Sequence, residues 1–144
     1  MPLMTPDPAH RRPPLPIRML AALVLPVAIA VHRLPLRWLV AATSVLRHLP
    51  PAEAAFAQSL HQALLAVRPS WWGGRIACME VSLATVLALG LCGRRVHWVL
   101  GVRAAPNEAH AWVQGDGFAL GLENNDPVRP WTPALITPTL KGEY

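Results

Sequence analysis

The pattern of apolar residues predicts two helices in the middle of the chain. Residues 53–67 place apolar side chains at helical spacing along one stripe, which is typical of an amphipathic helix that buries one face. Residues 78–93 are apolar on nearly every side, so we expect this second helix to be buried all round. Gly93 suits the left-handed conformation that often follows the last turn of a helix.

Three short strands are predicted after the buried helix. Residues 96–102 are β-branched and aromatic with rough alternation, and residues 109–114 and 118–123 form the second and third strands. The pair Asp116-Gly117 between these two strands favours a tight hairpin, so we assign Asp116 to turn chemistry. A central helix followed by an antiparallel sheet is an α+β arrangement.

The prolines divide the chain. Ten of the 16 prolines lie within residues 1–51 and four within residues 127–138. Because proline interrupts helices and strands, we expect regular structure at roughly 52–126. We therefore predict a Pro- and Arg-rich helical extension over residues 1–51 and a folded domain over residues 52–144.

An apolar run occupies residues 19–31 of the extension. Its 13 residues are fewer than the roughly 20 needed to cross a bilayer, and Pro26 lies inside it. We interpret the run and the apolar positions that follow as a pair of short helices that cap the domain. Weak association with a membrane or partner protein is an alternative. A cleaved signal peptide is disfavoured, because the apolar pattern continues past the supposed cleavage point.

The net charge of +5 is confined to the N-terminal third. Residues 1–50 hold six arginines and one acidic residue, whereas residues 51–144 are neutral. The basic residues are not interleaved with aromatic side chains, so we predict no nucleic-acid partner. Two cysteines exclude a disulfide-rich scaffold. The chain shows neither metal-ligand spacing nor a Gly-rich phosphate loop, so we predict no metal and no cofactor.

Cys78 is the candidate nucleophile. It lies at the start of the buried helix, where the helix dipole and the unpaired amide groups stabilise a thiolate and lower the pKa of the thiol. Cys92 lies at the other end, where the dipole would destabilise a thiolate, and we assign it a structural role. Taken alone, Cys78 would be interpreted as a small buried hydrophobic residue. A suitable partner changes that interpretation.

His110, on the second predicted strand, is the candidate base. A cysteine nucleophile needs a base that accepts the thiol proton and returns it to the leaving amine, and the base needs an acceptor that orients it. If the hairpin turn has two residues, His110 faces Glu123, with Cβ atoms about 5 Å apart. A three-residue loop would place Leu122 opposite His110 and bring Asn124 or Asp126 into contention.

Two aromatic features have less specific interpretations. His97 lies beside Trp98 in the first predicted strand, and we interpret it as a satisfied core or surface histidine. Trp71 and Trp72 precede the helix of the candidate nucleophile, where they either line a substrate groove or simply pack.

Four segments carry a resemblance to a known family. They read Cys78-Met-Glu-Val-Ser-Leu-Ala-Thr, Gly101-Val-Arg, Ala109-His-Ala-Trp-Val and Asp116-Gly. In this order and spacing they resemble the transglutaminase-like cysteine proteases of lasso-peptide biosynthesis, over residues 52–138. The resemblance implies a papain- or transglutaminase-like fold with a Cys-His-acid triad, in which Cys78 is the nucleophile and His110 the base. The family's acid lies near the end of the strand after the Asp-Gly turn. Glu123 is our first choice for it and Asp126 the second.

The resemblance also implies a function and partners. These proteases remove the leader from a ribosomally made precursor peptide before a separate cyclase closes the ring. This chain resembles the family's stand-alone form, because its first 50 residues are too poor in strands for a fused leader-recognition domain. It would then need a separate leader-recognition protein and an asparagine-synthetase-like cyclase, in the cytoplasm. A catalytically silent scaffold that binds precursor or cyclase, and acyl transfer to an amine, are the alternatives.

Overall fold

The computed structural model describes residues 14–67, 75–104, 107–122 and 130–138. Within these ranges the helices are α1 (Leu15–Val31), α2 (Leu36–Ser44), α3 (Ala54–Val67) and α4 (Arg75–Leu91), and a short 3-10 helix (Val45–His48) follows α2. The strands are β1 (His97–Arg103), β2 (Glu108–Gly115), β3 (Phe118–Leu120) and β4 (Thr132–Thr137). The predicted α+β arrangement is confirmed.

The four strands form one antiparallel sheet in the order β3-β2-β1-β4. The sequence does not predict strand β4, because Pro133 within it and the prolines on either side disguise the alternating pattern. At the edge of a sheet a proline is tolerated, since the missing N–H can face away from the ladder. The register between β1 and β4 shifts at Leu100/Gly101, and Gly101 pairs with Pro133.

The hairpin between β2 and β3 has the predicted two-residue turn. Gly115 pairs with Phe118, and Gly117 adopts a positive φ of 78°, as an Asp-Gly turn favours. The third strand is shorter than predicted, because the ladder ends at Leu120 instead of continuing to residue 123. Gly121 has a φ of 79°, a left-handed conformation that takes the chain out of the extended geometry.

Helix α4 is central to the core, which lies between the helices and one face of the sheet. Residues 80–89 are all buried except Leu87, which is half-buried, so the predicted burial is confirmed over this stretch. Trp98 in β1 is fully buried, and its indole Nε1 donates to Ser82 Oγ in α4 at 2.9 Å. This hydrogen bond joins β1 to α4, the helix that carries the candidate nucleophile Cys78.

The N-terminal helices share that core. The expected pair of helices is present, because the apolar run lies in α1 and the apolar positions that follow it lead into α2. The first helix is longer than expected, with 17 residues, and it continues through Pro26. Proline lacks the N–H that would bond to the Ala22 carbonyl, but burial of Val24, Leu25 and Ala28 against α3 and α4 holds the helix together. The chain division at residue 51 stays a prediction. No helix of the described ranges has the length and apolar character to cross a membrane.

Burial of His61 makes the stability of the fold depend on pH. His61 lies in α3, and burial lowers its pKa from 6.5 to about 4. Between these two values the unfolded chain binds the proton more tightly than the folded chain, so the stability is full above 6.5 and falls as the pH drops towards 4. We expect protonation of His61 in the unfolded chain to lower the free energy of unfolding by about 2–3 kcal/mol between pH 7 and about pH 4.5. Urea-unfolding midpoints at both pH values should show this loss in the wild type. His61→Gln should lack it, and equal acid sensitivity of the two proteins would contradict the prediction.

Candidate active site

The two cysteines lie at opposite ends of α4. Since the helix begins at Arg75, Cys78 lies in its first turn, and its side chain is half-buried. The amide groups of this turn and the helix dipole favour a thiolate there, as the sequence predicts. Cys92 follows the last residue of α4 and is exposed, about 20 Å away at 1.5 Å per residue.

Cys78 contacts the part of β2 that lies beyond the short strand β3. Strand β3 pairs only with residues 113–115 of β2, so the segment of β2 that carries His110 and Ala111 has no β3 partner within the described residues. The thiol of Cys78 lies there, hydrogen-bonded with the His110 side chain and with the backbone N–H of Ala111. The structure thus brings together the two residues that the sequence predicts as nucleophile and base.

Several effects act on the pKa of the Cys78 thiol. Burial is the largest of them and raises the pKa, because a charged sulfur loses hydration. The hydrogen bond with His110, the Ala111 N–H and the positive charge of His110 lower it, and the N–H of Met79 adds to them. Together they outweigh burial, so the pKa lies below its ordinary value. A larger fraction of Cys78 is therefore thiolate near neutral pH.

The imidazole of His110 is oriented by a backbone carbonyl. Its Nε2 lies 2.6 Å from the carbonyl oxygen of Gly121. Because a carbonyl oxygen only accepts, Nε2 carries the proton and donates it to this bond. Nδ1 is the nitrogen left to exchange a proton with the thiol of Cys78. The left-handed conformation of Gly121 thus accompanies a carbonyl that points at the His110 ring.

The predicted third member of the triad is not part of the described structure. Glu123 lies outside the described residues, as do its alternative Asp126 and the pair Trp71 and Trp72. The inference that His110 faces Glu123 depends on a β2–β3 ladder that continues past Leu120, and the ladder ends at that residue. The role of Glu123 stays a prediction.

Two aromatic rings lie against the His110 imidazole, and a charged side chain packs on one of them. The ring of His110 stacks on Trp112 with centroids 6.1 Å apart, and the ring of Trp131 lies 5.3 Å away on a tilted plane. The Arg103 guanidinium lies 4.2 Å from the centroid of the Trp131 ring and forms an ion pair with Glu108. Sequence reasoning missed Trp131, which precedes the unpredicted β4, and missed Gly121, whose contribution is a backbone atom without a residue signature.

A buried carboxylate close to the candidate nucleophile in sequence contacts a histidine. Glu80, two residues after Cys78, is 2% exposed, and its Oε1 lies 3.1 Å from Nε2 of His32. The other ring nitrogen of His32, Nδ1, faces the carbonyl oxygen of Ile29 at 2.5 Å. Because His32 caps the C-terminal end of α1, the pair ties that helix to the first turns of α4.

His97 and His61 have structural surroundings. His97 Nδ1 lies 2.5 Å from the carbonyl oxygen of Pro138, in line with its interpretation as a satisfied histidine. The ring of His61 lies near Thr85 Oγ1, at 3.4 Å. Among the residues that the structure describes, no three His, Cys, Asp or Glu side chains are grouped so that they could hold a metal ion.

Removal of the His110 imidazole should make Cys78 less reactive. In His110→Ala the thiol loses its hydrogen bond and the nearby positive charge, while burial continues to raise its pKa. We expect iodoacetamide to alkylate Cys78 of this variant at least severalfold more slowly than Cys78 of the wild type at pH 7. The difference should shrink as the pH rises towards the pKa of an ordinary thiol. His97→Ala, on the neighbouring strand, is the matched control and should alkylate at the wild-type rate. Equal rates for both variants would show that His110 does not activate the thiol.

The family profile of the transglutaminase-like superfamily matches residues 20–135, and the chain belongs to this superfamily. The match confirms the transglutaminase-like fold predicted from the sequence, and the superfamily includes cysteine proteases. The matched range begins within α1 and covers Cys78, His110 and β1 to β3. No curated protein and no solved structure shows significant similarity to the chain.

Proposed function

We propose that the protein is a cysteine endopeptidase that removes the leader from a lasso precursor peptide. The observation that supports enzymatic activity is the hydrogen bond between Cys78 and His110. The pKa of the Cys78 thiol is lowered, and Nε2 of His110 donates to the Gly121 carbonyl. The substrate rests on the resemblance of the Cys78, Gly101-Val-Arg and Ala109-His-Ala-Trp-Val segments to lasso leader peptidases.

The proposed mechanism uses groups in contact with one another. His110 takes the thiol proton at Nδ1, and the Cys78 sulfur attacks the carbonyl carbon at the leader–core junction. The imidazolium then protonates the departing amine, which leaves the leader as a thioester on Cys78. Water, deprotonated by the same imidazole, hydrolyses the thioester and restores the thiol. Amide groups in the first turn of α4 would stabilise the oxyanion that forms at each attack.

The partners follow from the same resemblance. A separate leader-recognition protein would deliver the precursor, and an asparagine-synthetase-like cyclase would consume the released core. The reading frames next to that of this chain should encode both, and the absence of both would contradict the lasso assignment.

Reconstitution tests the reaction. The enzyme is incubated with a lasso precursor peptide and its leader-recognition protein, with and without glycine methyl ester as an added amine, and the products are weighed by mass spectrometry. We expect a leader with a free carboxylate and a core with a free amine. A leader joined to the added amine would overturn hydrolysis in favour of acyl transfer. Intact precursor, with Cys78 alkylated no faster than Cys92, would identify a silent scaffold.

The third catalytic group can be tested by a conservative substitution. The sequence predicts that the Glu123 carboxylate orients His110. Because the Gly121 carbonyl already accepts from His110 Nε2, we propose that this carbonyl takes the orienting role instead, and we expect Glu123→Gln to slow leader release less than tenfold. Asp126→Asn is the matched comparison. Loss of about 10⁴-fold in kcat for Glu123→Gln, the size seen when a triad carboxylate is neutralised, would instead assign the orienting role to the Glu123 carboxylate.

A further inference from the structure

The side of α1 that faces away from the protein is apolar. One side of this helix is buried in the core through Ala21, Val24, Leu25 and Ala28. The opposite side is open, and four large apolar side chains on it are each between 54% and 70% exposed: Leu15, Met19, Leu23 and Val27. A helix on the surface of a soluble domain normally carries charged or polar residues on that side. In α1 the only charged residue is Arg18.

These four side chains form a continuous ridge. They are spaced four residues apart, so successive members lie one turn above another along the helix. At 1.5 Å per residue the ridge runs for about 18 Å. A contiguous exposed apolar surface of this kind marks a site of interaction with another protein or a membrane, because its exposure to water is unfavourable.

The charged side chains of α1, α2 and the segment between them are all positive. They are Arg18, Arg33 and Arg37, and all three are exposed. No acidic residue occurs between Asp7 and Glu53. In α2 the indole of Trp38 is 60% exposed, and tryptophan favours the boundary between lipid headgroups and acyl chains.

We propose that α1 docks the protein on an anionic phospholipid surface. The ridge of Leu15, Met19, Leu23 and Val27 inserts at the level where headgroups meet acyl chains, and the arginines of α1, α2 and the segment between them bind lipid phosphates. A convex ridge suits a fluid surface that deforms around it. The positive charge of these two helices complements an anionic bilayer and would repel a second copy of the same helices. This inference is independent of the chemistry proposed for Cys78.

Vesicle sedimentation with the full chain tests the proposal. The probes are vesicles of phosphatidylcholine with phosphatidylglycerol, and vesicles of phosphatidylcholine alone. We expect the protein to sediment with the anionic vesicles, to bind the neutral ones at least tenfold more weakly, and to be partly released by salt. Binding that is equal for both compositions would overturn the role of the arginines.

Two matched pairs of variants locate the contact. Leu23→Glu alters the middle of the ridge, and Leu91→Glu makes the same change at a leucine of similar exposure, 74%, at the far end of α4. We expect Leu23→Glu to weaken vesicle binding at least tenfold, and Leu91→Glu to leave it unchanged. Arg33→Gln should weaken binding about fivefold, whereas Arg94→Gln, an exposed arginine after α4, should have little effect. Thermal melts by circular dichroism confirm that each variant is folded.

If the ridge binds a second copy of the chain or another protein instead of a membrane, the experiments give different results. If the chain forms a dimer without vesicles, and Leu23→Glu dissociates it, the ridge is an interface between copies and the membrane proposal is wrong. If Leu23→Glu abolishes binding to the leader-recognition protein while vesicle binding is absent in the wild type, the ridge is a protein interface. Equal vesicle binding by Leu23→Glu and Leu91→Glu would also contradict the proposal.

Discussion

Substitution of Cys78 by alanine is expected to slow leader release at least about a thousandfold, because it removes the sulfur that contacts His110 and so prevents formation of the acyl-enzyme. The fold should tolerate the change, since the side chain is half-buried and alanine suits a helix. The measurement is the initial rate of leader release by mass spectrometry, at a saturating concentration of the leader-recognition protein.

Cys92→Ala is the matched control, because it removes a thiol from the other end of the same helix. We expect its cleavage rate to equal that of the wild type. If Cys78→Ala and Cys92→Ala both cleave at the wild-type rate, the nucleophile lies elsewhere and the proposed mechanism is wrong. If only Cys92→Ala loses activity, the roles assigned to the two ends of α4 are reversed.

Removal of the His32 imidazole is expected to lower the free energy of unfolding by about 1–3 kcal/mol, because it removes the polar group that lies 3.1 Å from the buried carboxylate of Glu80. Desolvation of a carboxylate is costly, and the cost is repaid only while a cation or donor faces it. The loss also frees the C-terminal end of α1 from α4. Urea denaturation of His32→Ala followed by circular dichroism measures the change.

Two variants test whether the loss comes from the buried charge. His48→Ala removes an exposed histidine from the 3-10 helix and should change stability by less than about 0.5 kcal/mol. Adding Glu80→Gln to His32→Ala should restore part of the stability, because a neutral amide needs no counter-charge. If His32→Ala is as stable as His48→Ala, the ion pair contributes nothing measurable to the fold.

Helices α3 and α4 and the β2–β3 hairpin could be predicted because their signals are local. Helical periodicity over residues 53–67, a uniformly apolar stretch before Gly93 and an Asp-Gly pair each constrain the backbone over a few residues. The placement of Cys78 at the start of a buried helix follows from the same signals. The chemistry of the imidazole indicates His110 in β2 as the base, but its contact with Cys78 depends on the packing of α4 on the sheet.

Other features escaped prediction because their causes lie far away in the chain. Helix α1 continues through Pro26 since its buried side packs on α3 and α4, and contacts of that kind leave no mark in the periodicity around a proline. Strand β4 exists because β1 offers it an edge. The pairing of His32 with Glu80 joins residues 48 positions apart, and neither residue type indicates the other.

The amino-acid sequence therefore specified most of the elements and the chemical types of two site residues and of one segment: a thiol at a helix start, an imidazole in a strand, and a basic N-terminal third. Those properties depend on side-chain identity and local spacing, which a sequence displays directly. The tertiary structure settled which groups meet. It ended β3 at Leu120, turned Gly121 so that a backbone carbonyl holds His110, and left the outer side of α1 uncovered. Backbone atoms are the same in every residue, so their placement becomes visible only when the chain is folded.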